Sequence, residues 1–208
     1  MKICSAMNET IVLASGSPRR KALLTDLGIK VDVRVSDAEE TSEGSPDEVV
    51  THNARVKCEA IARNSQPDEI IIAADTIVVH EGSILGKPRS LEEAVEMLER
   101  LSGDTHEVKT GIHVRDIATG QQQHDIETTR VTFRELKPEE IVRFVEIVHP
   151  LDRAGAYTVD GPGSLLVAGY EGCYYNVLGL PLVLLHGMLL ELGFDLFSEM
   201  NAQDARFL

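Results

Sequence analysis

The run Ile70-Ile71-Ile72-Ala73-Ala74, stopped by Asp75, constrains this chain more than any other stretch. An unbroken apolar run this short, ending in a carboxylate, predicts a strand buried within a sheet, with Asp75 at its end. In an α/β sheet, the carboxyl end of such a strand opens into the crevice where ligands bind. The rest of the chain agrees with that class. Strand-type apolar runs alternate with helical patterns, which predicts an α/β fold.

The punctuation marks out the elements. Ile11 to Ala14 reads as a strand, and Ser17-Pro18 as the cap and first position of a helix ending near Gly28. Val31, Val33 and Val35 alternate like a short strand. Ser45-Pro46-Asp47-Glu48 carries a capping box and opens a helix to about Ser65. Thr76 to Val79 and Ile84-Leu85 flank a hairpin signal at residues 80–83. Ser90 caps a helix with Leu91, Ala94, Val95, Leu98 and Leu101 on one face, stopped by Gly103. Val108 to Ile117, Ile126 to Phe133 and Leu165 to Tyr170 read as strands. Pro138 and Pro181 begin the last helices, and the residues beyond Leu192 read as a loose tail.

A chain of 208 residues is one large domain or one with two lobes, long enough to bury a core without a disulfide or metal staple. Its 20 Lys+Arg against 34 Asp+Glu give a net charge of −14, which argues against a general nucleic-acid or anionic-membrane surface. Three scattered cysteines, Cys4, Cys58 and Cys173, form no CxxC pair and fit a reducing cytosol. Residues 1–10 lack the apolar core of a signal peptide, and Leu178 to Leu192 is too short and too interrupted to span a bilayer. The expectation is a soluble cytoplasmic protein.

Five places can carry chemistry. Ser15-Gly16-Ser17-Pro18-Arg19-Arg20-Lys21 puts three cations in the first turn of a helix, where the dipole already makes them unfavourable. An anion there reverses the sign, so the segment is either a phosphate site or a solvated basic helix start. Asp75 can hold a divalent metal or activate water, or merely cap a turn. Lys87, in Gly86-Lys87-Pro88, presents one ammonium from a rigid turn. Lys57 projects from a helix face shared with Val50, Ala54 and Ile61, and either snorkels out or reaches into a cleft. Glu39-Glu40 is a solvated loop or part of a metal ligand set. No P-loop, GxGxxG, GxSxG or metal-spaced histidine pattern is present.

Taken together, SGSPRR (15–20), DAEET (37–41), AADT (73–76), LGKP (85–88), LSGDTHEVKTG (101–111), DRAGAY (152–157) and NVLGLPL (176–182) resemble, in order and spacing, the Maf family of nucleoside triphosphate pyrophosphatases. The resemblance runs from about Ile11 to Leu192. It implies an elongated mixed β-sheet flanked by helices, with two lobes around a central cleft, as in inosine triphosphatase-like proteins. It also implies a single domain over 11–193, with an extension at 1–10 and a tail at 194–208. Members hydrolyse nucleoside triphosphates to the monophosphate and pyrophosphate with a divalent metal, Mg²⁺ or Mn²⁺, and are described as homodimers. Favoured substrates are dTTP, UTP and modified pyrimidine nucleotides in one subfamily and 7-methyl-GTP in another. The family is linked to division arrest and to cleansing non-standard nucleotides.

Carried over residue by residue, Ser15, Arg19 and Arg20 match the phosphate-binding loop, and Glu40 an acidic residue near the metal. Lys57 and Lys87 match the two cleft lysines. Asp75 matches the proton acceptor and a metal ligand, and Arg20 and Thr76 match positions tied to substrate choice. DRAGAY resembles the dTTP/UTP type. One departure stands out: Asp160 sits where that type has a Gln associated with base choice, so it is expected to face the base with an acceptor-only carboxylate. Two other readings remain at this point, a nucleotide-binding regulator of septum formation and an acidic interaction module.

Overall fold

The structure, a computed structural model, describes residues 9–206. Residues 1–8, most of the expected N-terminal extension and Cys4 with it, lie outside the described residues. The strands are β1 (Thr10–Leu13), β2 (Val31–Val33), β3 (Glu69–His80), β4 (Ser83–Leu85), β5 (Thr105–Asp116), β6 (Gln122–Phe133) and β7 (Val167–Glu171). They form one open 7-stranded sheet in the order β2-β1-β3-β5-β6-β7, with β4 on β3. β1 is parallel to β2 and β3, and every other pairing is antiparallel.

Local chemistry fixes the helix starts. The Ser17 hydroxyl accepts from the Arg20 amide and Pro18 takes the first position of α1 (Pro18–Asp26). α2 (Pro46–Ala62) opens on the full Ser45/Glu48 capping box. Ser90 caps α3 (Leu91–Leu101), and Pro138 begins α4 (Pro138–Val148). α5 (Tyr174–Val177), α6 (Leu182–Glu191) and α7 (Leu196–Glu199) follow. Glu81 and Gly82, both at positive φ, make the two-residue β3–β4 turn.

β3 corrects the expectation about Asp75. The strand does not stop there: it pairs with β5 without interruption from Ile70↔Asp116 to Val79↔Glu107, so Asp75 and Thr76 lie in its middle. The reason is visible on both faces. Toward α2, Ile71 and Ala73 pack with Cys58, whereas Ile77 and Val79 pack with Val49 and Val50. On the opposite face, Ile70, Ile72 and Ala74 join a core with Leu24 of α1 and Leu185 of α6. Val78 joins a separate core with Leu98 of α3 and Ile141 of α4. Asp75 and Thr76 stand where one apolar cluster gives way to the next, one residue on each face.

Three smaller differences have equally local causes. Val35 is 71% exposed and does not extend β2. Residues Gly161–Leu165 form a 3₁₀ turn, which delays the last strand to Val167. The segment beyond Leu192 is not loose through residue 206. Phe194 and Leu196 are buried in the α1/α6 core, Asn201 N donates to Gly28 O, and Arg206 N donates to Asp26 O. Among the described residues, no helix is long and apolar enough to cross a membrane.

Candidate functional site

β3 loses its neighbour where its clusters change. On one edge β1 ends at Leu13↔Ile72, and β4 begins only at Leu85↔Val78. The break in the sheet between them is the floor of a cleft of about 600 Å³. Ser15, Arg19, Arg20, Glu40, Lys57, Asp75, Thr76 and Lys87 all line it. Eight of the nine residues carried over from the resemblance are therefore brought to one place; Asp160 is not among them.

The α2 side of the cleft carries the acids. Gly111 faces Asp75 across the β3–β5 ladder, and a Cβ there would lie 2.6 Å from the Val50 carbonyl oxygen. The missing side chain lets α2 settle against the sheet beside Asp75. From α2, the Lys57 ammonium then reaches Asp75 Oδ1 at 2.8 Å and Glu40 Oε2 at 2.8 Å. Asn53, one turn earlier, donates from Nδ2 to Asp75 Oδ2 at 3.1 Å. The same amide pairs with the Thr41 backbone, accepting from N at 2.9 Å and donating to O at 3.0 Å, and so anchors the loop that carries Glu40. Asp75 is 8% exposed, and both its oxygens have donors, as an ionised buried carboxylate requires. Glu39 does not line the cleft.

Arg20 does different work from the phosphate contact the sequence suggests. Its Nε donates to Gly179 O at 2.7 Å, Nη1 to Ala74 O at 2.9 Å and to Ser15 Oγ at 3.1 Å, and Nη2 to Thr76 Oγ1 at 2.9 Å. The Ala74 carbonyl lies on the strand edge left open beyond β1, so the guanidinium supplies the donor that a neighbouring strand would have given. Gly179, at φ +103, lets its backbone pass close over this clamp. Burial holds the Arg20 guanidinium below its usual pKa, opposed by the nearby Asp75 charge.

Arg19 and Lys87 are the opposite case. Neither has a hydrogen-bonded or ion-paired side-chain partner within the described residues, and both line the cleft. Burial lowers the Arg19 pKa, and the charge of Arg153 lowers it further. Arg153 also lines the cleft, and sequence reading missed it, along with Asn53. Asn53 was legible in principle, since it lies four residues before Lys57 on the same helix face.

Asp160 departs from expectation. It is exposed, lies outside the cleft lining and accepts a hydrogen bond from the Thr158 hydroxyl, while Val159 is buried in the α3/α4 core. The cause is the left-handed turn at Gly161 and the 3₁₀ turn that follows, which hold the segment at the surface. Asp160→Gln is therefore expected to leave the ligand selectivity of the cleft unchanged within about twofold, the span of a surface substitution. Titration of parent and variant with a panel of nucleotides checks this; a larger change in their relative affinities puts Asp160 at the cleft.

Among the described residues no cluster of three or more His, Cys, Asp or Glu is arranged to hold a metal. The donor set on offer is Glu40 and Asp75, converging on one cation, the Lys57 ammonium. That fits a Mg²⁺-type ion, which typically uses one or two carboxylates and completes its shell with water and substrate phosphates.

A family model described as Maf-like protein matches residues 10–192. The dTTP/UTP pyrophosphatase of Caldicellulosiruptor saccharolyticus is 44% identical over 90% of this chain and 97% of its own. That of Bacillus anthracis is 46% identical over 89% and 96%. Among solved structures, the Staphylococcus aureus Ham1 protein aligns with a TM-score of 0.44 at 18% identity, covering 60% of this chain and 72% of that one.

Proposed function

Because this chain belongs to the Maf-like family, we propose that it is a nucleoside triphosphate pyrophosphatase that hydrolyses dTTP and UTP to the monophosphate and pyrophosphate. The observation that carries the reading is the convergence of Asp75 and Glu40 on Lys57, at the floor of a cleft whose walls present Arg19 and Lys87, cations without a partner among the described residues. A binding protein needs only the cations. A buried carboxylate oriented by two donors inside the cleft suits a base that takes a proton from water.

In this mechanism Arg19 and Lys87 neutralise the polyphosphate and hold it over β3. Lys57 and Asn53 fix the Asp75 carboxylate in one orientation, so its lone pairs meet the attacking water without reorganisation. Water adds at phosphorus, the α–β phosphoanhydride bond breaks, pyrophosphate leaves and the proton passes to Asp75. Glu40 and Asp75 would hold a Mg²⁺ or Mn²⁺ ion, which would polarise phosphate oxygens and lower the pKa of bound water. Arg20 ties the open strand edge at Ala74 and Thr76 to the Gly179 backbone beside the break. A homodimer working in the cytoplasm on free nucleotides, with a role in clearing non-standard nucleotides or in division, completes the proposal.

The test is a panel of dTTP, UTP, CTP, GTP and 7-methyl-GTP, with Mg²⁺ or Mn²⁺, assayed for pyrophosphate. The expected result is that dTTP and UTP have the highest kcat/KM and that chelation by EDTA abolishes turnover. A leading rate on 7-methyl-GTP, or turnover indifferent to EDTA, overturns the substrate or the metal part of the proposal respectively.

A further inference from the structure

We propose that Arg153 is a further substrate-binding residue, gripping together with Arg19 the β- and γ-phosphates that depart as pyrophosphate. The inference rests on the pyrophosphatase reading for the name of the ligand, but the observations are its own. Arg153 lines the same cleft as Arg19 and Lys87. Its side chain is only 22% exposed, yet its shielded Nε makes no hydrogen bond within the described residues. The carboxylate within reach, Asp152, lies 3.4 Å from that Nε without hydrogen-bond geometry and is itself 71% exposed. A guanidinium withdrawn from water with a donor left over is costly unless something anionic completes it.

Its placement says which anion. Arg153 sits in the loop that precedes the 3₁₀ turn at Ala154–Ala156, and Gly155 N donates to Gly86 O at 3.0 Å, so this loop is tied to the one bearing Lys87. A Cβ on Gly155 would come within 3.1 Å of Val78, and Gly155 and Ala156 both take positive φ, so the loop is pressed onto β3 and held in one conformation. Lys87 and Arg153 therefore stand on one wall of the cleft. Arg19, from the start of α1, stands on the other. Two guanidinium groups and an ammonium lining one cleft, in a protein of net charge −14, are a receptor for a ligand carrying several negative charges close together. Gly155 packs on Val78, three residues along β3 from Asp75, so the Arg153 loop borders the cleft beyond Asp75, on the side where Lys87 stands. A triphosphate with its scissile bond at Asp75 extends its outer phosphates toward Arg153, with Arg19 facing it.

The experiment compares parent, Arg153→Gln and Arg153→Lys by calorimetric titration with inorganic pyrophosphate and with dTMP in Mg²⁺, alongside dTTP kinetics and melting curves. Arg153→Gln is expected to weaken pyrophosphate binding and raise the KM for dTTP about ten- to a hundredfold, the span of losing charge-assisted contacts. It should leave the dTMP affinity within about twofold. Arg153→Lys, which keeps the charge but not the fork, should recover part of the loss. Equal losses for pyrophosphate and dTMP, or unchanged affinities with a lowered melting temperature, overturn the assignment. If the parent binds pyrophosphate through Arg153 yet hydrolyses no nucleotide, the anion grip stands and the pyrophosphatase reading falls.

Discussion

Asp75→Asn should lower kcat for dTTP by about 10²–10⁴-fold, the usual contribution of a positioned general base, while nucleotide still binds. The change is nearly isosteric and removes the proton-accepting charge. The surroundings add a second effect. Lys57 donates to one oxygen of Asp75 and Asn53 to the other. The new amide can offer its oxygen to Lys57, but its NH₂ then meets the Asn53 NH₂. Asn53 can turn over only by giving up its paired contacts with Thr41. One donor is left without an acceptor, at a cost of about 1–3 kcal/mol. The variant is therefore less stable as well as slow, and the rate must be taken per folded molecule. A kcat within about threefold of the parent means that Asp75 is not the proton acceptor.

Arg20→Lys should behave as a structural lesion. The guanidinium holds the Ala74 and Gly179 carbonyls and the Ser15 and Thr76 hydroxyls from fixed directions, which one ammonium at the end of a flexible stem does not reproduce. The lost contacts are worth about 2–4 kcal/mol, and at this chain length that lowers Tm by roughly 5–15 °C. Differential scanning calorimetry measures it directly. An unchanged Tm with a raised KM for dTTP restores Arg20 to the role suggested by the sequence, a phosphate ligand.

The contrast between Arg19 and Arg20 shows how far the amino-acid order reaches. Helix starts are written locally: Ser17, the Ser45/Glu48 box and Ser90 each cap the helix that follows them. The cleft residues were legible too, because motifs spread over the chain point to one polyphosphate chemistry. Which cation is left free for an anion was not. Arg20 is adjacent to Arg19 in sequence, but one residue turns the side chain by about 100° on a helix, here toward the open strand edge. That edge exists only once β1 stops short of Thr76 and β4 starts beyond it. The run ending at Asp75 looked like a strand end because its continuation is stabilised by β5, 28 to 34 residues away in sequence, from Val79↔Glu107 to Thr76↔Thr110. The burial of Phe194 and Leu196 depends on the α1/α6 core in the same non-local way.

In the proposed mechanism the Asp75 carboxylate, at the break in the sheet beside β3, drives α–β cleavage of a nucleoside triphosphate. Following dTTP with Mg²⁺ by ³¹P NMR, in parent and Asp75→Asn at equal folded concentration, tests it most directly. The predicted result is dTMP and pyrophosphate in equal amounts from the parent and almost none from the variant in the same time. Orthophosphate with dTDP, or equal rates from both proteins, contradicts it.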